Sequence, residues 1–532
     1  MKTGSTRFLA GLIIAVLLVS LSVVAASCGT EENQTSDQGP TILTLATVLE
    51  PTTWDPGASS AGGEDQYLGN MYETLVKTNP PGSAEQYSPL LATEWEASAD
   101  GLSWTFKLRE GVKFHDGTDF TAEAVKYSID RVKTLDLGMA YILDPIDSVE
   151  VVDANTVDFK LNTPVALEPI LGAAFAVWIV SPSTETYGQE WFDSEGGHEC
   201  GTGPYTLVTY TPKEETKLER FADYWGDAPE GGFDTLVYKF VTEPQTQKQM
   251  LEAGEIDIAL GLTKDVAATL EGSSDVNVTY DATMENMFVY LNCQKPPLDD
   301  VRVRQALSYA TPYEDIITVA ENGKAAIAHG LVPTSIWPGD EALPTYSYDL
   351  EKAKQLLAEA GYADGGLKLV ITTNSNRANE TQAATLMKER FAEIGIDVTV
   401  RPMPYEQQWA LAKGKAEKRQ DMFMMYWWPT YPDGYDTLCS FYDEGDEPYY
   451  NLSYWVNDEF ETLCEEARAE SGMDRDKSKA MYMTAQEMTI DDAICIYLWD
   501  AQSVVASKST IQGAELNPAY PCILFCNDVT SL

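Results

Sequence analysis

The sequence predicts an exported α/β protein whose folded body hangs on an N-terminal tether. Three observations carry this. Apolar alternation of period two recurs along the chain, separated by stretches of helical period. From Leu367 to Val400 a strand, a helix and a second strand follow without a break, a βαβ unit that implies a parallel or mixed sheet. The first 28 residues have the order of a secretory leader: basic Lys2 and Arg7, the apolar run from Phe8 to Val24, small Ala25, Ala26 and Ser27, then Cys28.

The elements follow in order after residue 40. Ile42, Leu43 and Leu45 mark a short first strand. Trp104, Phe106 and Leu108 alternate as a strand with one buried face. Thr121 stands at the cap position of a helix whose apolar residues Val125, Ile129 and Val132 share one side. Val157, Phe159 and Leu161 repeat the alternation, as do Leu236, Tyr238 and Phe240. Asp349 opens a helix bearing Ala353, Leu356, Leu357 and Ala360, stopped by Gly361. Inside the βαβ unit, Leu367, Leu369 and Ile371 form the first strand. Ala383, Met387, Phe391 and Ile394 mark the helix, Gly395 ends it, and Ile396, Val398 and Val400 form the second strand. Ile494 to Leu498 is a late apolar strand, and no internal repeat is visible.

Composition narrows the partners. A chain of 532 residues has room for about three domains, or one large two-lobed body, at ~150 residues per domain. Hydrophobic residues are 44% of it, enough for a real core and too many for wholesale disorder. The net charge of −47 repels polyanions, so no nucleic acid is expected as a partner. It also disfavours an anionic membrane surface, and its plain role is solvation.

Cys28 directly after small residues resembles a bacterial lipobox, in which the cleaved cysteine carries the lipid. Ala25 stands where that motif usually has Leu. A plain signal peptide or an uncleaved anchor helix is the alternative, although the run from Phe8 to Val24 is barely long enough to cross a bilayer. Gly29 to Pro40 is polar and aperiodic, a flexible tether with a reach of roughly 20 Å. The expected location is outside the cell, on the outer face of the cytoplasmic membrane or in the periplasm, held by the lipid.

Removing Cys28 leaves Cys200, Cys293, Cys439, Cys464, Cys495, Cys522 and Cys526. Export permits disulfides, and the odd number leaves at least one thiol free within a single chain. Spacing does not fix the pairing. With only His115, His198 and His329 there is no histidine-rich metal pattern, and no metal or cofactor is expected. GxSxG, HExxH and Walker A motifs are missing, so no nucleophile–base set points to an enzyme. Gly201-Thr202-Gly203-Pro204 lacks a phosphate-binding frame and reads as a structural corner.

Function comes from a resemblance. Pro89 to Trp95 (PLLATEW), Trp104 to Gly117 (WTFKLREGVKFHDG), Val151 to Leu161 (VVDANTVDFKL) and Gly201 to Tyr205 (GTGPY) occur in one order. Tyr224-Trp225, Ala253 to Ile258 (AGEIDI), Pro297 to Leu307 (PLDDVRVRQAL) and Asp349 to Gly361 (DLEKAKQLLAEAG) follow. Together they resemble the family 5 solute-binding proteins of peptide-, nickel- and oligosaccharide-type ABC importers, the oligopeptide-binding-protein-like group. The resemblance runs from about Thr41 to the end. One departure is Thr311-Pro312 after Tyr309-Ala310, where the family often writes an Ile-Asp pair.

The resemblance implies a class II periplasmic-binding-protein-like clamp of two lobes with an inserted subdomain. Carried over, 1–27 is the signal peptide, 28–40 the lipidated cysteine and tether, and 41–78, 201–284 and 507–532 the first lobe. Residues 79–200 are its insertion, and 285–506 the second lobe. The implied activity is non-enzymatic: a monomer captures a peptide- or oligosaccharide-sized solute and delivers it to ABC permease subunits. A ligand-binding sensor or adhesin on the same fold is the alternative.

In peptide-binding members a loop of the form W-x-x-D-Y-P-D-P sets its first Asp against the ligand's α-ammonium. Here the loop reads Trp427-Trp428-Pro429-Thr430-Tyr431-Pro432-Asp433-Gly434, so Thr430 takes the place of that Asp. Asp433 or Asp436 could supply the missing charge. Trp427, Trp428 and Tyr431 offer flat faces for sugar rings or apolar side chains, and Trp54 stands near the end of the first strand. These residues are the ligand-binding candidates. Thr430 without a charge leads to the expectation that neutral or sugar-like ligands bind better than simple peptides.

Overall fold

One sheet of eleven strands runs through the body. The computed structural model describes residues 41–60, 62–445, 448–520 and 522–532. The expected leader, Cys28 and tether lie outside the described residues. Across the sheet the order is Ile396–Met403, Leu367–Asn374, Met422–Trp427, Val276–Leu291, Cys495–Lys508, Ile258–Ala259, Ile42–Thr47, Thr235–Phe240, Glu215–Arg220 and Tyr205–Thr211. Ala326–Ile327 is added beside Cys495–Lys508.

Two long antiparallel strands, Val276–Leu291 and Cys495–Lys508, belong to both ends of this sheet. From Val276↔Lys508 to Ala282↔Gln502 they continue the strands of the first lobe, and from Asn286↔Asp500 to Tyr290↔Cys495 those of the second. Between these registers Thr283, Met284 and Glu285 stand opposite Ala501 alone. Such surplus on one strand breaks the ladder, bends the strand and re-aims its side chains.

In the first lobe, Ile42–Thr47 pairs in parallel with both Thr235–Phe240 and Ile258–Ala259. Leu43, Leu45, Leu236 and Tyr238 are buried in one core there, as their alternation predicts. In the second lobe the βαβ unit forms as read. Leu367–Asn374 runs parallel to Ile396–Met403, and the crossover helix Ala378–Glu393 buries Ala383, Met387 and Phe391. Gly395 takes φ +80°, and a Cβ there would stand 2.7 Å from the Cα of Gly365, so both conformation and space require glycine. Asp349 caps the helix Leu350–Glu359 by accepting from the Lys352 amide at 2.9 Å.

The inserted subdomain is a separate antiparallel sheet in the order Ala92–Ala97, Ser103–Leu108, Thr156–Leu161, Ile146–Asp153. Helix Ala122–Leu135 packs on it through Val125, Ile129 and Val132, all in the same core as Trp104, Phe106 and Phe159. Thr121 occupies the N-cap position, but its side chain makes no cap bond.

Two polar ties fasten this subdomain to the first lobe. Asp55, fully buried, receives both Arg131 guanidinium nitrogens at 2.8 and 2.7 Å. His115 sets Nε2 2.9 Å from the Gly203 carbonyl of the first lobe, while its Nδ1 lies 2.6 Å from a carboxylate oxygen of Glu199 within the insertion. Gly201 is the corner its sequence suggests: a Cβ there would meet the Met71 carbonyl oxygen at 2.0 Å. Among the described residues no helix is long and apolar enough to cross a membrane, and the seven cysteines are unbonded.

Candidate functional site

A cavity of about 600 Å³ lies between the lobes. The first lobe contributes Leu49, Gln66, Leu260, Leu262 and Lys264, and the second contributes Glu285, Glu321, Arg377, Asn379 and Tyr426. Arg377 is the cap residue of the crossover helix, just past the carboxyl end of the parallel strand Leu367–Asn374. Asn379 sits in that helix's first turn. Glu321 closes the helix Tyr313–Ala320, and Tyr426 comes from Met422–Trp427. In sheets with parallel strands, clefts form at such strand ends.

Several polar groups on this wall are engaged with one another. The Lys264 ammonium bonds to a Glu321 carboxylate oxygen, and also to the Lys324 carbonyl at 2.7 Å. Asn379 donates to the other Glu321 oxygen at 2.7 Å and to the Tyr426 hydroxyl at 3.0 Å. Arg377, Glu285 and one Gln66 atom have no partner among the described residues, and neither do the side chains of Asp265, Asn322, Gln382, Gln502 and Ser503 on the same wall. The Arg377 guanidinium lies 4.3 Å over the Tyr426 ring but has no hydrogen-bond or ion-pair partner. The Glu285 carboxylate has none either. The Gln66 side chain is 1% exposed and its Nε2 is without an acceptor. Burial pushes the Glu285 carboxyl above its ordinary range; Arg377 and Lys264 pull it back, and Glu321 adds to the rise.

None of the seven ligand-contact candidates read from the sequence lines this cavity. Trp54 is 3% exposed and packs in the first lobe's core, its ring 5.7 Å from Tyr67 and 5.1 Å from Tyr210. Trp427 ends its strand half-buried, edge-on to Tyr450 at 5.3 Å, while Trp428 is exposed. Tyr431 is buried in the core of the inserted subdomain. Thr430, Asp433 and Asp436 are buried too, because this loop is where the second lobe meets the insertion.

The contacts there are specific. The Tyr141 hydroxyl, from the insertion, bonds to the Thr430 hydroxyl at 2.5 Å and donates to Asp436 at 3.2 Å. Asp436 also accepts from the Thr430 amide, and burial pushes its carboxyl up to about 7 against these donors. Asp433 caps the short helix Gly434–Leu438 by accepting from the Tyr435 amide at 3.0 Å, and lies 4.0 Å from Arg475. Arg475 reaches across to Gln86 at 3.1 Å and to the Tyr87 hydroxyl at 3.2 Å. Ser471 accepts from the Ala166 amide at 3.0 Å. The loop is therefore an inter-lobe seam.

Comparison with known proteins fits this architecture. The profile of bacterial extracellular solute-binding proteins, family 5 (middle), matches residues 86–449. The glutathione-binding protein GsiB of Pectobacterium atrosepticum is 30% identical over 436 residues, 81% of this chain and 83% of its own. The periplasmic binding protein DppA of Helicobacter pylori, solved with the peptide STSA, is 28% identical with a TM-score of 0.73, covering 92% of this chain and 98% of its own. CtaP of Listeria monocytogenes, at 23% identity, shares the fold with a TM-score of 0.81 over 93% of this chain and all of its own. The two-lobed clamp and the capture of a solute for an ABC importer follow, and the chain belongs to family 5 of the bacterial extracellular solute-binding proteins.

Proposed function

We propose that the 600 Å³ cavity takes a short peptide or peptide-like solute and that Arg377 binds its carboxylate. One observation carries this reading. Of the two cations on the cavity wall, Lys264 is neutralised by Glu321, whereas the guanidinium of Arg377 keeps all its donors free beside the Tyr426 ring. A planar guanidinium matches a carboxylate through two parallel bonds. The names of the relatives, one a glutathione binder and one solved with a tetrapeptide, support the same ligand class.

The preference for neutral or sugar-like ligands, drawn from Thr430, loses its support because Thr430 is bonded to Tyr141 rather than facing this cavity. The test is calorimetry of the wild type and Arg377→Ala against short peptides, their C-terminal amides and oligosaccharides. Arg377→Ala should weaken the free-acid peptides about 10- to 150-fold, the worth of a charge-assisted bond, and leave the amides unchanged. Tight oligosaccharide binding that ignores the substitution would sink the reading.

The reading includes a division into lobes at 41–78, 201–284 and 507–532 against 285–506, with 79–200 inserted. Its support is the apolar core from Met287 to Ala501, which draws on 285–506 alone, whereas the first lobe shares its core with Ala174, Phe175 and Phe192 of the insertion. The protein acts as a monomer and binds without turnover. It also includes the lipid anchor at Cys28, supported by the run of small residues before it. Cys28→Ala should release the full-length protein from the membrane fraction into the soluble one. Retention and detergent partitioning equal to the wild type would count against acylation.

A further inference from the structure

A second cavity, of about 150 Å³, shares no residue with the one between the lobes. It opens where the end of helix Gly62–Met71, Trp178 and the C-terminal stretch from Tyr520 to Asp528 come together. Tyr72, Trp178, Tyr224, Tyr520 and Phe525 line it with their rings, and Leu90 stands half-buried beside them.

One buried donor there has no acceptor. Trp178 is 4% exposed, yet its indole Nε1 bonds to nothing among the described residues. The neighbouring buried groups are committed elsewhere. Glu73 accepts from the Thr202 hydroxyl at 2.8 Å, the Trp225 indole at 2.9 Å and the Tyr224 hydroxyl at 3.0 Å. Asn70 donates to the Tyr238 hydroxyl and the Leu524 carbonyl, and the Tyr520 hydroxyl accepts from the Thr78 amide. A water in the cavity needs about two to four polar partners, which groups already bonded to one another supply poorly. A ligand with a flat apolar body and one acceptor covers the rings and takes the indole N–H.

Size and charge narrow the class. A cavity of about 150 Å³ admits one benzene-sized ring. Glu73 and Asp528 set two carboxylates on the wall against the single ammonium of Lys77, itself 3.3 Å from Asp528 and 4.2 Å over the Phe525 ring. That balance repels an anion, and a cationic head offers the indole N–H no acceptor. We propose that this cavity is a second binding site, for an uncharged single-ring aromatic that bears a carbonyl, an aryl amide being the simplest case. The site is independent of the peptide reading of the inter-lobe cavity.

The test is calorimetry on the full chain with benzamide, toluene, benzoate and benzylamine against the wild type, Trp178→Phe and Leu90→Trp. Benzamide should bind the wild type about tenfold more tightly than toluene, the worth of one neutral hydrogen bond. Benzoate and benzylamine should both bind more weakly than benzamide. Trp178→Phe should bring benzamide down to the affinity of toluene while leaving toluene itself unchanged, which also shows that the variant is folded. Leu90→Trp fills the cavity from its edge and should weaken benzamide and toluene together, by about tenfold or more, with a wild-type melting temperature. A wild type that binds none of the probes, or a Leu90→Trp variant that binds benzamide as the wild type does, overturns the site. Benzamide that binds no tighter than toluene, or is indifferent to Trp178→Phe, overturns the role of the indole N–H. Benzoate or benzylamine binding tighter than benzamide overturns the uncharged class.

Discussion

Asp55→Asn should destabilise the folded chain by about 3–5 kcal/mol, read as a lowered urea midpoint and melting temperature. Asp55 is fully buried and takes a two-pronged ion pair from Arg131, at 2.8 and 2.7 Å, while also accepting from the Gly57 amide at 2.9 Å. Asparagine preserves the volume but leaves one nitrogen facing the guanidinium and a buried positive charge with no counter-ion. Desolvation makes such a pair of little net benefit when intact and expensive when half removed. Arg131 belongs to helix Ala122–Leu135 of the insertion and Asp55 to the loop after the first strand. The loss should therefore first appear as loosening of the insertion, seen as faster amide exchange in that helix. A midpoint equal to wild type would show that the pair is dispensable.

The second large effect is a rise in stability on mild acidification. Burial pushes the carboxyls of Glu73, Glu380, Asp436 and Asp500 up to about 7 each, against the hydrogen bonds that favour their charged forms. A carboxyl whose folded value lies above its unfolded value of about 4 costs nothing below that unfolded value. Its penalty grows as pH rises toward 7 and is complete above it. For His115, burial alone would lower the value, but Glu199, the Gly203 carbonyl and Glu73 outweigh it and raise the imidazole. Both its nitrogens face acceptors, so the charged form is the one that satisfies them. Its contribution is full below about 6.5 and is lost as pH rises through the folded value.

Both kinds of group therefore act in the same direction between about pH 5 and 8, and the net charge of −47 adds self-repulsion that acid relieves. Asp116, drawn down to about 2 by hydroxyl and amide donors despite burial, works the other way only in stronger acid. The melting temperature at pH 6 should exceed that at pH 8 by on the order of 5 °C. A melting temperature that climbs steadily from pH 5 to 8 would refute this account.

What was legible in the sequence was whatever a local period records. Ala383, Met387 and Phe391 sit on one helix face, Trp104 and Phe106 on one strand face, and each lands in a core. The cavity charges left no such trace. Glu285 is one of 83 acidic residues, and its orientation depends on a pairing irregularity that no residue type announces. Arg377 did carry a signal: it follows directly on a parallel strand, the place where α/β clefts open. The same rule pointed to Trp54, but Gly197 leaves room for that indole to lie against its backbone, where a Cβ would stand 2.6 Å from Nε1. The aromatic loop was recognised, yet its partner Tyr141 lies 289 residues away, and a contact at that separation is invisible to pattern.

The surplus residues in the strand Val276–Leu291 also have a mechanical meaning. Both long strands pass unbroken from one lobe to the other, so relative rotation of the lobes must be taken up as flexure of this ribbon, and the ribbon is weakest where its ladder is interrupted. Glu285 is then close to the fulcrum, while Lys264 and Tyr141 ride on the lever arms. A group at a fulcrum keeps nearly the same position whether the jaws are apart or together. A ligand contact there strengthens capture equally in both states and does nothing to drive the jaws shut, since only unequal affinity moves such a balance. Contacts made far from the ribbon, where the two lobes move most, are the ones whose unequal affinity can drive closure.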